Sequence, residues 1–204
     1  IGILYVGTFG SFIGFGFAFA QVLNLSFTSA GAAKPALAAA QIAWIGPLLG
    51  SLSRPYGGKL ADRIGGGKVT LYTFIGMTFG AAILVFAATA ADNNGKVIET
   101  GHLVGLVIGF IVLFILSGLA NGSVYKIIPT IWEEKAQAST DMSPTQKVVW
   151  SRSMSGALIG IAGAVGGLGG VGINLVLRAS YKSNQSATAA FWIFMAFYVV
   201  AAVI

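Results

Sequence analysis

Two side chains in this sequence are placed where charge is costly. Arg54 and Lys126 each sit in an otherwise apolar stretch, and no carboxylate shares those segments. A cation inside hydrocarbon normally faces a ligand pathway or a partner of opposite charge. With no negative side chain nearby, the implied partner is a bound anion. Arg54 precedes Pro55 and has Ser51 and Ser53 beside it, and a planar guanidinium suits a planar oxyanion through two parallel hydrogen bonds. The competing reading is snorkelling, in which a long stem carries its charge back to the interface. That alternative stays open for Lys126 and is weaker for Arg54.

The elements that hold these cations are membrane helices. The chain is 56% hydrophobic and 9% charged, with a mean hydropathy of +0.84. Both values lie far from soluble averages. Charge-free stretches cover 1–33, 35–53, 69–91, 103–125, 153–177 and 183–204, and a spanning helix needs about 20 apolar residues. The expected helices are therefore about 1–25, 35–58, 69–91, 103–132, 150–178 and 187–204. Together they form an all-α membrane protein of six transmembrane helices. The sequence opens and closes inside apolar runs, Ile1 and Ile204, so the bundle is expected to be cropped from a longer chain.

Basic residues suggest an orientation. The loops after the second and fourth helices carry Lys59, Arg63, Lys68, Lys135, Lys147 and Arg152, against Lys34, Lys96, Arg178 and Lys182 elsewhere. That bias makes the first set cytoplasmic. The net charge of +6 fits a membrane protein with basic loops and gives no support to a nucleic-acid partner. Asp62 then marks the interface. Arg54, eight residues earlier, lies about 12 Å inside it, and Lys126, seven residues before Glu133, lies about 10 Å inside.

Every Asp and Glu falls in or beside a loop, so this region offers no carboxylate proton relay. His102, the single histidine, starts a helix and reads as a surface residue. The sequence has no cysteine, metal-ligand cluster, nucleophile triad or phosphate-cradling loop, which argues against an enzyme and calls for no metal or cofactor. Gly156, Gly160, Gly163, Gly167 and Gly170 step by 4, 3, 4 and 3 along the fifth helix, with Gly166, Gly169 and Gly172 widening the stripe. Such a stripe serves either close helix packing or a backbone surface lining a pore. Asn174, just past it, is either a capping or a pore-lining residue.

A resemblance enters at the loop between the second and third helices. Gly58-Lys59-Leu60-Ala61-Asp62-Arg63-Ile64-Gly65 resembles the signature loop of the major facilitator superfamily, here with Gly66 and Gly67 where two basic residues normally follow. Its signature positions are Gly58, Asp62, Arg63 and Gly65. The segments 4–15, 46–55 and 117–123, with the glycine-rich fifth helix, are similar to the C-terminal half of bacterial nitrate/nitrite porters. The resemblance implies one six-helix half of such a transporter, paired with an N-terminal half. It implies nitrate and nitrite as substrates, alternating access, and a bacterial inner-membrane location. Arg54 matches the arginine this half contributes to the anion clamp. Tyr5 and Phe9 match a hydroxyl donor and a packing wall. Asn121 and Lys126 lie in a stretch resembling one subgroup of the family, and both are carried forward as candidate substrate contacts. Exchange of the two anions is the expected mode, with proton-coupled symport or another small anion as alternatives.

Overall fold

The structure, a computed structural model, describes residues 2–95 and 97–203. Ile1, Ile204 and Lys96, which entered the reading above, lie outside the described residues. The chain folds as α1 (Gly2–Tyr5), a π-helical turn (Val6–Gly10), α2 (Ser11–Ser29), α3 (Pro35–Ala43), α4 (Ile45–Ile64), α5 (Gly66–Asn93), α6 (Thr100–Ala138), α7 (Pro144–Asn184) and α8 (Thr188–Val203). Among the described residues there is no strand.

Five stretches are long and apolar enough to cross a membrane, Gly2–Ser29, Pro35–Ile64, Gly66–Asn93, Thr100–Ala138 and Pro144–Asn184, and α8 is a shorter apolar helix. Large apolar side chains such as Phe17, Phe79 and Phe86 are exposed. Their exposure fits a molecule whose surrounding solvent is hydrocarbon.

The helices differ from the hydropathy estimate in length. The segment Glu133–Lys147 reads as a charged loop, yet α6 continues to Ala138 and α7 begins at Pro144. Glu-Glu-Lys-Ala-Gln-Ala is a good helix former in water, so the helix outlasts the apolar stretch. At about 1.5 Å per residue, α6 and α7 are each roughly twice the hydrocarbon thickness. Ser143 caps α7: its hydroxyl accepts from the Gln146 amide, and the Gln146 side chain accepts from the Ser143 N–H at 2.9 Å. His102 performs the same service for α6, its Nδ1 accepting from the Glu99 N–H at 3.3 Å.

The second span is broken rather than continuous. α3 and α4 meet at Trp44, because Pro47 three residues later has no N–H to return to Ala43. The signature segment is also mostly helical. Gly58, Asp62 and Arg63 belong to α4, and the turn into α5 is made by Gly65 at φ +93°, a backbone conformation that favours glycine.

An aromatic core holds the bundle together. Phe15, Phe19, Phe110, Phe114, Phe191 and Phe194 are buried side by side, with Phe19 stacked on Phe110 at 4.9 Å and Phe15 edge-on to it at 5.7 Å. Polar stitches sit among them: Ser11 shares a hydrogen bond with Tyr198 (2.8 Å), and Thr70 with Ser123 (2.8 Å). At the end of the bundle away from Asp62, the Asp92 carboxylate accepts from Ser186 (2.8 Å) and Thr188 (2.6 Å), tying α5 to the α7–α8 turn.

Candidate functional site

Arg54 is positioned by a close crossing of α4 and α6. The two helices advance together in steps of about four residues. Gly118 lies against the Gly50 carbonyl and the Ser53 hydroxyl, Gly57 against the Leu119 carbonyl, and Gly122 against the Arg54 carbonyl. A Cβ on Gly57, Gly118 or Gly122 would overlap backbone, so glycine is what permits the approach. Ser53 locks the crossing by donating to Gly50 O (2.8 Å) and Ile115 O (2.9 Å), and so does not serve Arg54 directly. Pro55 follows within the helix and has no N–H to give the Ser51 carbonyl.

The Arg54 side chain leaves this crossing toward α2. Its guanidinium lies 4.2 Å from the Phe12 ring centroid and 5.9 Å from that of Phe9. It makes no ion pair among the described residues, and its Nε is buried without a hydrogen-bond partner. Aromatic faces attract a cation but leave its N–H groups unspent. This arginine therefore retains hydrogen-bonding capacity for something else.

Beside it, Phe9 stacks on Tyr5 at 5.2 Å, and Tyr125 meets Tyr5 edge-on at 5.6 Å. Tyr5, Phe9, Val124 and Ala162 form their own small cluster, apart from the main aromatic core. The Tyr5 ring is 1% exposed, and its hydroxyl has no hydrogen-bond partner. The backbone between Tyr5 and Ser11 is the π-helical turn, a distortion often found at functional sites. Gly166 of α7 supports the cluster: a Cβ there would stand 2.7 Å from the Tyr5 ring and 3.0 Å from that of Phe9.

Asn121 lies on α6 between Gly118 and Gly122, fully buried, with both amide atoms unpartnered. Thr8, in the π turn, is likewise fully buried with its hydroxyl unpartnered. Unmatched buried polar atoms are rare in folded proteins. Among the described residues Tyr5, Thr8, Arg54 and Asn121 hold such atoms on the elements that build this site, and Trp132 holds one farther along α6.

Lys126 departs from expectation. It is paired, its Nζ lying 3.0 Å from Asp62 Oδ2, with the two side chains 53% and 55% exposed. The parallel advance of α4 and α6 explains why. Gly122 meets Arg54, so the next turn of α6 brings Lys126 past Gly58, whose added Cβ would be 3.7 Å from Lys126 Cε, and on to Asp62. The two cations thus do not share one depth. Of the signature residues, Gly58 is buried and Asp62, Arg63 and Gly65 are exposed.

The glycine stripe of α7 divides into two faces. Gly156, Gly160, Gly163 and Gly167 have no atom within 4 Å of an added Cβ. Gly170, placed in the same stripe by periodicity, packs on Ile13 and Gly14 instead, and Gly169 packs on Val6 and Gly10. Asn174 donates to Gly14 O (3.2 Å) and Gly170 O (2.9 Å), and so stitches α7 to α2. Phe12, Tyr125 and Thr8 were not singled out from sequence. The signal for Phe12 is its place one turn after Phe9, and for Tyr125 its place one turn after Asn121.

No family model matches the chain. It is 29% identical over 206 residues to the nitrate/nitrite transporter NarU of Escherichia coli (strain K12), covering 98% of this chain and 41% of that protein. It is 31% identical over 204 residues to NarU of Salmonella typhimurium, covering 97% of this chain and 40% of that protein. Over nearly its whole length this chain is similar to nitrate/nitrite transporters. A probable nitrate/nitrite antiporter, NarK2 of Thermus thermophilus, is 28% identical over 195 residues. The chain spans about two fifths of the length of these curated relatives. It is an all-α, multi-pass membrane protein, and nearly its whole length aligns with about two fifths of these transporters.

Proposed function

We propose that this chain is the C-terminal six-helix half of a transporter that moves nitrate and nitrite across a bacterial inner membrane by alternating access. The observation that carries the reading is the Arg54 guanidinium, held on two aromatic faces with its Nε buried and unpartnered. A small oxyanion completes such a group, because charge-assisted hydrogen bonds from a partly desolvated guanidinium outweigh those available in water. Tyr5, whose hydroxyl has only the Tyr125 side chain beside it, donates to the same anion, and Phe9 and Phe12 form the wall that excludes water. Asn121 lies on α6 one turn before Tyr125, and its unpartnered amide is a further donor for the anion in this reading.

The N-terminal half supplies the opposing surface, and the open glycine face of α7, Gly156 to Gly167, is where it approaches most closely. A second arginine from that half would repel Arg54 in the empty state, so a bound anion lets the two halves close. That requirement suits exchange of nitrate for nitrite. Among the described residues no carboxylate pairs with Arg54, so this half offers no acid beside the anion for proton coupling.

The test is counterflow with the complete polypeptide in proteoliposomes. Vesicles loaded with nitrite should take up external nitrate faster than empty ones, and collapse of the proton gradient should leave that rate unchanged. Uptake that stops with the proton gradient and ignores internal nitrite would instead establish symport. A preference for another small anion over both would overturn the substrate assignment.

A further inference from the structure

At the end of the bundle away from Asp62, a cavity of about 80 Å³ lies between α2, α5, α6 and the α7–α8 turn. That is room for several water-sized occupants. Its polar lining is Ser26, Ser29, Asp92, Tyr181, Gln185 and Ser186. Ser29 and Gln185 are exposed and mark its mouth, whereas Ser26 is 2% exposed.

The oxygens in this cavity are only partly spent. Asp92 Oδ2 takes the hydroxyl protons of Ser186 (2.8 Å) and Thr188 (2.6 Å). Among the described residues Oδ1 accepts no hydrogen bond, and neither the Ser26 nor the Tyr181 hydroxyl makes one. The Asp92 charge is near enough to act on the Tyr181 hydroxyl. No Lys or Arg lines the cavity, and no ion pair reaches Asp92 among the described residues. Gln185 stands at φ +53°, the one positive φ outside glycine among those residues. This left-handed cap, where glycine is usual, is thus held by a residue that lines the mouth.

Water would fill such a cavity without neutralising its carboxylate, and a half-buried charge with no counter-charge is costly. Hard cations are held by carboxylate and neutral oxygens together. A single carboxylate among hydroxyls and an amide matches a single positive charge, whereas calcium sites draw on several carboxylates. We propose that Asp92, Ser26, Tyr181 and Gln185 bind one monovalent alkali cation, which braces α2, α5 and α7 at this end of the bundle. No motif announces it, because its ligands are single oxygens on three helices. The site stands apart from Arg54 and does not depend on the anion held there.

The test is thermal unfolding of the complete transporter in detergent, without nitrate, as sodium chloride replaces choline chloride at constant ionic strength. Sodium should raise Tm saturably, as a ligand bound only by the folded state does. Ser26→Ala removes a hydroxyl that bonds nothing in the protein, so it should fold as wild type. It should need about five- to tenfold more sodium for the same rise, the worth of roughly one hydroxyl ligand. Asp92→Asn should abolish the sodium response, whatever its Tm in choline. Ser183→Ala, on α7 outside the cavity, should respond as wild type. Equal Tm in sodium and choline would show that water alone fills the cavity, and overturns the proposal. A sodium response unchanged in Ser26→Ala and Asp92→Asn places the ion elsewhere, the other half included, and also overturns it. Stabilisation by calcium where sodium has no effect overturns the monovalent assignment. The Arg54 reading survives every one of these outcomes.

Discussion

Arg54 and Lys126 are alike in sequence and opposite in structure. Both are cations flanked by apolar residues, and both sit on the α4–α6 pair. One turn of helix separates their fates. Lys126 reaches Asp62 at 3.0 Å with more than half of each side chain exposed, so its charge is answered within the chain and by water. Arg54 is turned onto Phe9 and Phe12, and no carboxylate answers it. The lesson is that a cation in an apolar segment becomes a ligand candidate only when the fold withholds a partner from it.

The glycines that set this register offer the strongest way to sharpen the contrast. A Cβ at Gly122 would overlap the Arg54 carbonyl, whereas one at Gly58 would stand 3.7 Å from Lys126 Cε, an ordinary contact. Gly122→Ala should therefore cost about 1–3 kcal/mol through forced separation of α4 and α6, and should lower uptake by displacing Arg54. Gly58→Ala should stay within about 0.5 kcal/mol. Thermal unfolding of the detergent-solubilised transporter reads both, and equal losses would show that the crossing does not distinguish the two sites.

Tyr5→Phe comes next in size. Its hydroxyl has no protein partner, so its removal should leave stability unchanged or slightly raised. Nitrate KM should rise by about three- to tenfold, the worth of roughly one hydrogen bond. A drop in stability with unchanged KM would mean that the hydroxyl serves the fold rather than the anion.

The smallest effect is expected at the paired cation. A double-mutant cycle of Asp62→Asn and Lys126→Gln should give a coupling of at most about 1 kcal/mol, weakened by salt, as for exposed pairs generally. Transport by Lys126→Gln should stay within about threefold of wild type. A loss as large as that from an Arg54 variant would return Lys126 to the binding site and break the comparison.

Much of this was legible in the sequence, for identifiable reasons. Isolation of Arg54 in an apolar run signals burial, and long charge-free stretches signal spanning helices. The Lys126–Asp62 pair was not legible, because only the parallel crossing of α4 and α6 brings together residues 64 positions apart. Helix ends were misjudged where charged residues continue a helix into water, as at Glu133 to Ala138. The stripe on α7 was visible as a period, but period alone does not say which neighbour a face meets. Gly170 went to packing and Gly163 to open space on that account. The Asp92 stitch was hidden in a segment that reads only as a turn.

The central claim is that Arg54 recognises the anion by geometry as well as charge. Nitrate uptake by the complete transporter carrying Arg54→Lys, in proteoliposomes and with insertion verified, tests it most directly. Lysine keeps the positive charge and loses the planar fork. The account predicts that uptake falls by about 10- to 100-fold, the loss of one to two charge-assisted hydrogen bonds. Uptake equal to wild type would show that Arg54 acts as a point charge or a structural group, and would contradict the clamp.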